Sequence, residues 1–392
     1  MLRLCWLRWL WATLLGVDGR IRYARQLSIG RPFVPFQPDN RGGWNFPGQL
    51  DQASFVGSLP NGDICVADAR NHRVHIFSGR GVPASPHTHA DYRVLGSFGD
   101  GPGQLYRPAG CACESSSPTT LYVVDSYNHR LQKLNVTNGK PLSLAGQYGS
   151  GPGQLKFPHG ISLSNGVLYV ADALNHRIAT FDTKLNFVFA FGKRGSGPGE
   201  LSFPSGVAAL GSTVYVADTG NDRLQVYTTR GKFLRSLGRY GSEQGQFNMP
   251  SDVSLAHGRI YVSEFHGRRV QVITPSGNPV QTLRLPDVGA LSSVDADIQH
   301  ERVYVADFEH HRVHVMAVRG VTVDNATNTT HVVVDRQDGG YLSPDAESRS
   351  KRSKHSSQHS SKHSSKHSSR QSGRKKKHKT ENSARTTSAA AG

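Results

Sequence analysis

The stretch Leu168-Tyr-Val-Ala-Asp-Ala-Leu-Asn-His-Arg-Ile-Ala-Thr-Phe181 reads as two short β-strands joined by a tight turn, and its pattern recurs along the chain. Alternating β-prone residues flank a segment with an Asn suited to a hairpin bend. Asp-x-x-Asn-His-Arg stands at Asp68, Asp125 and Asp172, and variants stand at Asp218-x-x-Asn-Asp-Arg223, Glu264-x-x-Gly-Arg-Arg269 and Asp307-x-x-His-His-Arg312. The spacings between the six acids are 57, 47, 46, 46 and 43 residues. Upstream, Gly101-Pro-Gly-Gln-Leu105, Gly151-Pro-Gly-Gln-Leu155 and Gly197-Pro-Gly-Glu-Leu201 mark a loop that leads into an inner strand. Downstream, Phe187-Val-Phe-Ala-Phe191 and Phe233-Leu-Arg-Ser-Leu237 supply a fourth strand. Four strands in about 45 residues is the size of a propeller blade, so six copies predict an all-β, six-bladed ring.

In these motifs the chain resembles the NHL-repeat propeller family, from about Trp44 to Arg319. The resemblance implies a closed propeller, with strands at Gln26 to Phe36 and His331 to Asp335 supplying closing contacts that remove exposed sheet edges. The expected organisation is a signal segment over 1–19, the propeller over 26–338 and a tail over 344–392.

A residue found in every blade is most simply a blade-building residue. The acid-to-Arg pairing therefore reads as structural: the carboxylate bonds N–H groups of the tight turn and meets the guanidinium of the next strand. The fourth motif position (Asn71, Asn128, Asn175, Asn221, Gly267) suits a positive φ, with His310 the departure. The fifth (His72, His129, His176, Asp222, Arg268, His311) reads as a ring of solvated turn residues, too far apart to converge on zinc.

The chain has 392 residues and a formal charge of +17, and the charge belongs to its ends. Residues 348–392 hold 13 Lys/Arg and one acid, residues 1–25 hold 5 Arg and one Asp, and the middle has 28 bases against 27 acids. A propeller that is near neutral argues against a basic domain gripping phosphates over its whole surface. The Lys-His-Ser-Ser repeats of the tail offer almost no apolar area, which predicts disorder. Its cluster Arg374, Lys375, Lys376, Lys377 and Lys379 suits a heparin-like glycan, RNA or nuclear import.

Arg3 and Arg8 ahead of the apolar run Trp9 to Val17 fit a short signal peptide, and the run is too short to span a bilayer. An Arg-rich transit peptide and an unprocessed amphipathic start compete with that reading. Secretion is the compartment expected, with nucleus or cytoplasm as the alternative. Asn135, Asn325 and Asn328 head glycosylation sequons. Cleavage would leave Cys65, Cys111 and Cys113, an odd number expected to pack as small buried hydrophobes, with Cys111 and Cys113 at the distance limit for a disulfide.

Functional information should sit where blades depart from the repeat. Aligned positions at the start of the inner strand, facing the channel, are Ser54, Ala109, His159, Ser205, Ser251 and Ser292. The peptidyl-hydroxyglycine amidating lyases, built on similar blades, set three zinc-binding His at Pro-His positions. Only Pro158-His159 matches here, so no zinc, cofactor or catalytic residue is assigned. No Gly-x-Ser-x-Gly elbow, P-loop or His-Glu-x-x-His occurs, and four Cys cannot build the ubiquitin-ligase module of the tripartite-motif relatives. The reading is a monomeric, non-enzymatic module whose loops bind a protein or peptide, with the tail adding affinity for polyanions. The alternatives are a degenerate lyase-like or hydrolase-like enzyme using His159, and an RNA-binding propeller. The surplus in the 57-residue spacing, near Gly79 to Arg93, marks a face loop where binding could reside.

Overall fold

A computed structural model of the protein describes residues 21–29, 50–78, 92–114, 117–285, 287–297, 299–319, 322–324 and 329–334. The expected signal segment, residues 79–91 of the insertion, Asn325, Asn328 and the tail with Arg374, Lys375, Lys376, Lys377 and Lys379 lie outside these.

Six sheets follow one another, and the first five are four-stranded and antiparallel with their strands in chain order. Blade one comprises Ala53–Ser58, Ile64–Asp68, Arg73–Phe77 and Tyr92–Leu95; blade three comprises Pro158–Ser164, Val167–Asp172, Arg177–Asp182 and Phe187–Phe191. The motif acid ends the second strand and the motif Arg begins the third, directly opposite it, as in the pairs Asp172 with Arg177 and Asp218 with Arg223.

The alternation within Leu168-Tyr-Val-Ala has a simple cause, because both faces of a middle strand are covered by neighbouring blades. Leu168 and Val170 pack with Tyr122 and Val124 of blade two, while Tyr169 and Ala171 pack with Val214 and Val216 of blade four. Similar apolar clusters fill the other blade junctions.

Blade six contributes Leu291–Asp297, Arg302–Asp307 and Arg312–Arg319, and its fourth strand is N-terminal, Ile21–Ile29. That strand runs antiparallel to the third, from Arg22 opposite Arg319 to Ile29 opposite Val313. Thr329–Val334 then adds in parallel beyond it. The ring is thus closed by the two ends of the repeat region, with the N-terminal strand starting at Ile21 rather than at Gln26.

Cys65 and Cys111 form a disulfide, with Cα atoms 6.7 Å apart, which corrects the expectation of unpaired cysteines. Cys65 lies on the second strand of blade one and faces the first strand of blade two, where Cys111 sits in the same apolar cluster. Cys113 lies outside the disulfide, and burial pushes its thiol up to about 11.

Candidate functional site

The motif builds a shell around a buried carboxylate. Asp172 accepts from Arg177 Nε at 2.8 Å, Asn175 Nδ2 at 2.8 Å and the backbone N–H of Lys156 at 2.7 Å. Asp125 and Asp218 repeat the set. The Arg guanidinium also clamps the Gly-Pro-Gly loop, for Arg177 donates to the carbonyls of Ser150, Gly151 and Gln154. The acid–Arg pair is a structural hub, although in blades one to five its backbone donor comes from the loop entering the blade; in blade six Asp307 accepts the expected turn N–H, that of His310. A further member escaped sequence reading: His75, Gln132, Gln225, Gln271 and His314, two positions after the Arg, are polar residues buried in apolar strands. Gln132 and Gln271 donate to the acid, and His75 and His314 share a hydrogen bond with it. Blade three has Ala179 there. Burial raises the pKa of Asp172 accordingly, whereas the burial penalty on Asp68 and Asp307 is outweighed by hydrogen bonds from His75 and His314 and both lie below the usual carboxylate value.

The left-handed residue of each turn is the fifth, not the fourth: His72, His129, His176, Asp222, Arg268 and His311 have φ from 49° to 56°. These side chains are latches to the next blade rather than solvated bystanders. His72 Nδ1 accepts the backbone N–H of Arg107 at 3.1 Å, His129 that of Phe157 at 3.2 Å, His176 that of Phe203 at 3.1 Å, and His311 that of Gln52 at 2.9 Å. Asp222 does the same to Met249 at 2.7 Å. Arg268 has no acceptor, and at that junction its guanidinium instead meets Glu309, which accepts the N–H of Ala290.

The latches hold the rim of the channel. A cavity of ≈ 320 Å³ on the propeller axis is lined by Ser54, Ala109, His159, Ser205, Ser251 and Ser292, so the structure brings all six aligned positions together. The serines are already employed. Ser54 donates to Pro108 O, Ser205 to Ser251 O, Ser251 to Leu291 O and Ser292 to Ala53 O, each across a blade junction. His159 makes no side-chain hydrogen bond among the described residues; it is open to the channel, yet desolvation by the surrounding protein lowers its pKa.

Asp252 also lines the cavity and was missed. The position after Pro-x is Gly110, Gly160 and Gly206 in blades two to four, where the next backbone approaches closely: a Cβ on Gly160 would stand 2.6 Å from Ser205 O. Blade five has Asp252, whose carboxylate accepts from Ser293 Oγ at 2.6 Å and from Val253 N at 2.8 Å. Burial pushes its pKa up to about 7. The departure from Gly was the available signal.

Around the mouth runs an arc of rings, exposed at Phe98, Tyr106, Tyr127 and Tyr148 and half-buried at Phe157. Phe98, Tyr106, Tyr127 and Phe157 follow one another at 5.1 to 5.3 Å between centroids, and Tyr148 lies 5.0 Å from His129, which contacts Phe157. Phe98 and Tyr148 are 62% and 63% exposed, too open to be core. Arg107 stacks over Tyr127 and Lys156 over Tyr148. Tyr127, Phe157, Leu174 and Phe203 wall a hollow of ≈ 430 Å³ that shares His159 and Ser205 with the axial cavity. Elsewhere, Asn135 ends a strand at a turn where its Oδ1 accepts from Thr137 and Asn138 N–H groups. No three His, Cys, Asp or Glu side chains converge as a metal set among the described residues.

The family model for the NHL repeat matches residues 50–77 and 155–181, which fall in blades one and three of the six-bladed propeller. Comparison with curated proteins gives no match. Among solved structures, a gluconolactonase from Xanthomonas campestris is 14% identical, with 69% of this chain and 87% of that one covered and a TM-score of 0.52. A virginiamycin B lyase from Staphylococcus aureus with quinupristin is 12% identical, with 71% and 86% covered and a TM-score of 0.50. At such identities the likeness shows the fold alone. No helix among the described residues is long and apolar enough to cross a membrane.

Proposed function

We propose that the protein is a non-enzymatic interaction module that binds a protein or peptide partner on the face carrying the motif turns. The observation that carries this reading is the arc of rings from Phe98 to Phe157, in which Phe98, Tyr106 and Tyr127 are exposed, as is the neighbouring Tyr148. Water contact over contiguous aromatic area is unfavourable unless a partner covers it. Tyr and Phe with flanking Arg and Lys are also the side chains that dominate binding energy at interfaces. The latches make the surface rigid, so little ordering cost remains at association. Arg107 and Lys156 favour a partner segment with acidic residues beside an apolar anchor. The tail of residues 348–392, at a net charge of +12, adds non-specific attraction to polyanions such as heparin-like glycans or RNA.

The secretory pathway is the compartment we favour, because the Cys65–Cys111 bridge suits an oxidising environment and the N-terminal run fits a signal peptide. Nucleus or cytoplasm is the alternative. An RNA-binding propeller is less well supported by a near-neutral middle. A lyase-like or hydrolase-like enzyme would have to work with His159 and Asp252 alone in the axial cavity.

The test is selection of peptides from a random library on the native protein, followed by affinity measurement on two variants. Phe98→Ser with Tyr148→Ser should weaken the selected peptides at least about tenfold. Leu210→Ser, which removes an exposed side chain outside the aromatic arc, should leave them unchanged. Equal binding to all three proteins would remove the arc as the docking surface.

A further inference from the structure

We propose that the axial cavity is a binding site for a small organic ammonium ion with an apolar body, whose charged head is held by Asp252. This inference concerns the interior of the propeller and stands apart from the reading of the outer face.

The argument begins with where the hydroxyl protons go. Ser54, Ser205, Ser251 and Ser292 each donate to a backbone carbonyl of the following blade, at 2.5 to 2.8 Å. Thr219, on the same wall, has its hydroxyl 2.6 Å from Ser205 Oγ, and with the Ser205 proton on Ser251 O it is Thr219 that donates across that contact. A hydroxyl has one proton to give and two lone pairs. With those protons spent on the ring, the five oxygens can offer a ligand only lone pairs. The lining is therefore rich in acceptors and poor in donors, which is the complement of an ammonium group and the wrong chemistry for a carboxylate or phosphate.

Charge points the same way. Neither Lys nor Arg lines the cavity, and its ionisable side chains are His159 and Asp252. Asp252 from blade five has Ser293 Oγ, Val253 N and, at 3.4 Å, Val294 N around a carboxylate with room for one more donor. Three aromatic residues from other segments, Phe55, Phe265 and Phe308, complete the wall with Met249 and Ala109. Aromatic faces beside a carboxylate attract a cation more strongly than either alone, and they also cover the apolar part of an amine. At ≈ 320 Å³ the volume falls at the small end of the range for ligand pockets.

Protonation of the lining agrees. Burial lowers the pKa of His159, so the ring is neutral at pH 7 and does not repel a cation. The titratable groups that bear on Asp252 are His159 across the cavity and Asp295 on the adjoining blade, itself raised by burial. A bound ammonium would draw the Asp252 carboxyl into its ionised form. The binding should therefore release a proton near neutral pH and tighten as pH rises from 6 to 8, while the amine itself stays charged.

Titration calorimetry on the full-length protein decides the matter with 2-phenylethylammonium, its neutral isostere 2-phenylethanol and the anion phenylacetate. The expected result is ammonium binding at least about tenfold tighter than either isostere, with affinity rising between pH 6 and pH 8. Asp252→Asn should lose about tenfold for the ammonium and nothing for the alcohol. Should that variant not fold, the isostere series and the pH dependence of the unaltered protein still decide. Equal affinity for all three compounds, an affinity independent of pH, or no ammonium binding at about 10 mM would each overturn the proposal.

Discussion

A Cβ placed on Gly267 would stand 2.3 Å from Glu264 Oε2, and this is why blade five alone combines a Glu with a Gly in its motif. In blades one to four Asp is followed three residues later by Asn, whose amide caps the carboxylate. The extra methylene of Glu264 pushes the carboxylate into the space that the Asn would fill, and Arg269 and Gln271 still reach it at 2.6 and 2.8 Å. Gly267→Asn should destabilise by about 1 to 3 kcal/mol through overpacking. Adding Glu264→Asp should recover most of that loss by rebuilding the common motif. A denaturant double-mutant cycle measures the coupling, and additive losses would show that the two positions are independent.

The disulfide offers a second test. Cys65 and Cys111 are 46 residues apart, and closing such a loop constrains the unfolded chain by about 4 kcal/mol in the entropic account. Cys65→Ser should lower stability by about 2 to 4 kcal/mol. Peptide mapping without reduction should link Cys65 to Cys111 and leave Cys113 alkylatable. A Cys111–Cys113 link in the map would refute the assignment.

Close approach between blades gives a third. Gly160→Ala would set a methyl 2.6 Å from Ser205 O and 3.1 Å from Gly206 Cα, both backbone atoms that cannot turn aside. The expected loss is about 2 to 3 kcal/mol. Gly166→Ala meets nothing within 4 Å and suffers only from its φ of 75°, so about 1 kcal/mol is expected. Equal melting temperatures for the two variants would contradict the packing described at the channel wall.

The six blades were legible because period and alternation are properties of sequence alone, as were the positions facing the channel, which share one place in the repeat. What lay hidden were relations between blades. That His129 is a latch depends on Phe157 presenting a free N–H in a left-handed conformation on the next blade. Cys65 meets Cys111 only once two blades stand side by side. The closing strand at Ile21–Ile29 precedes the first motif and carries none of its residues. Asp252 could have been noticed as a break in a run of Pro-x-Gly, but its burial and its partner Ser293 belong to the fold.

The latches make stability depend on pH, and the sign follows from proton counting. Burial lowers the pKa of His72, His129 and His176 below the ordinary 6.5, and each Nδ1 must stay unprotonated to accept its hydrogen bond. Below pH 6.5 the unfolded chain binds protons that these folded residues refuse. Their contribution is therefore intact above that value and is lost as pH falls through it. Asp252 acts in the opposite sense: held near 7 against an ordinary 3.8, it favours the folded state in acid and loses that effect as pH rises through the window between. The net profile of the native protein mixes the two, so the informative quantity is a difference. His129→Asn keeps a short acceptor, as Asp222 does in blade four, and cannot titrate. Its stability relative to the native protein should rise as pH is lowered from 7.5 to 5, measured by urea unfolding at each pH. A difference that stays constant over that range would mean that His129 does not take up a proton on unfolding, and the latch would then be no more than a contact.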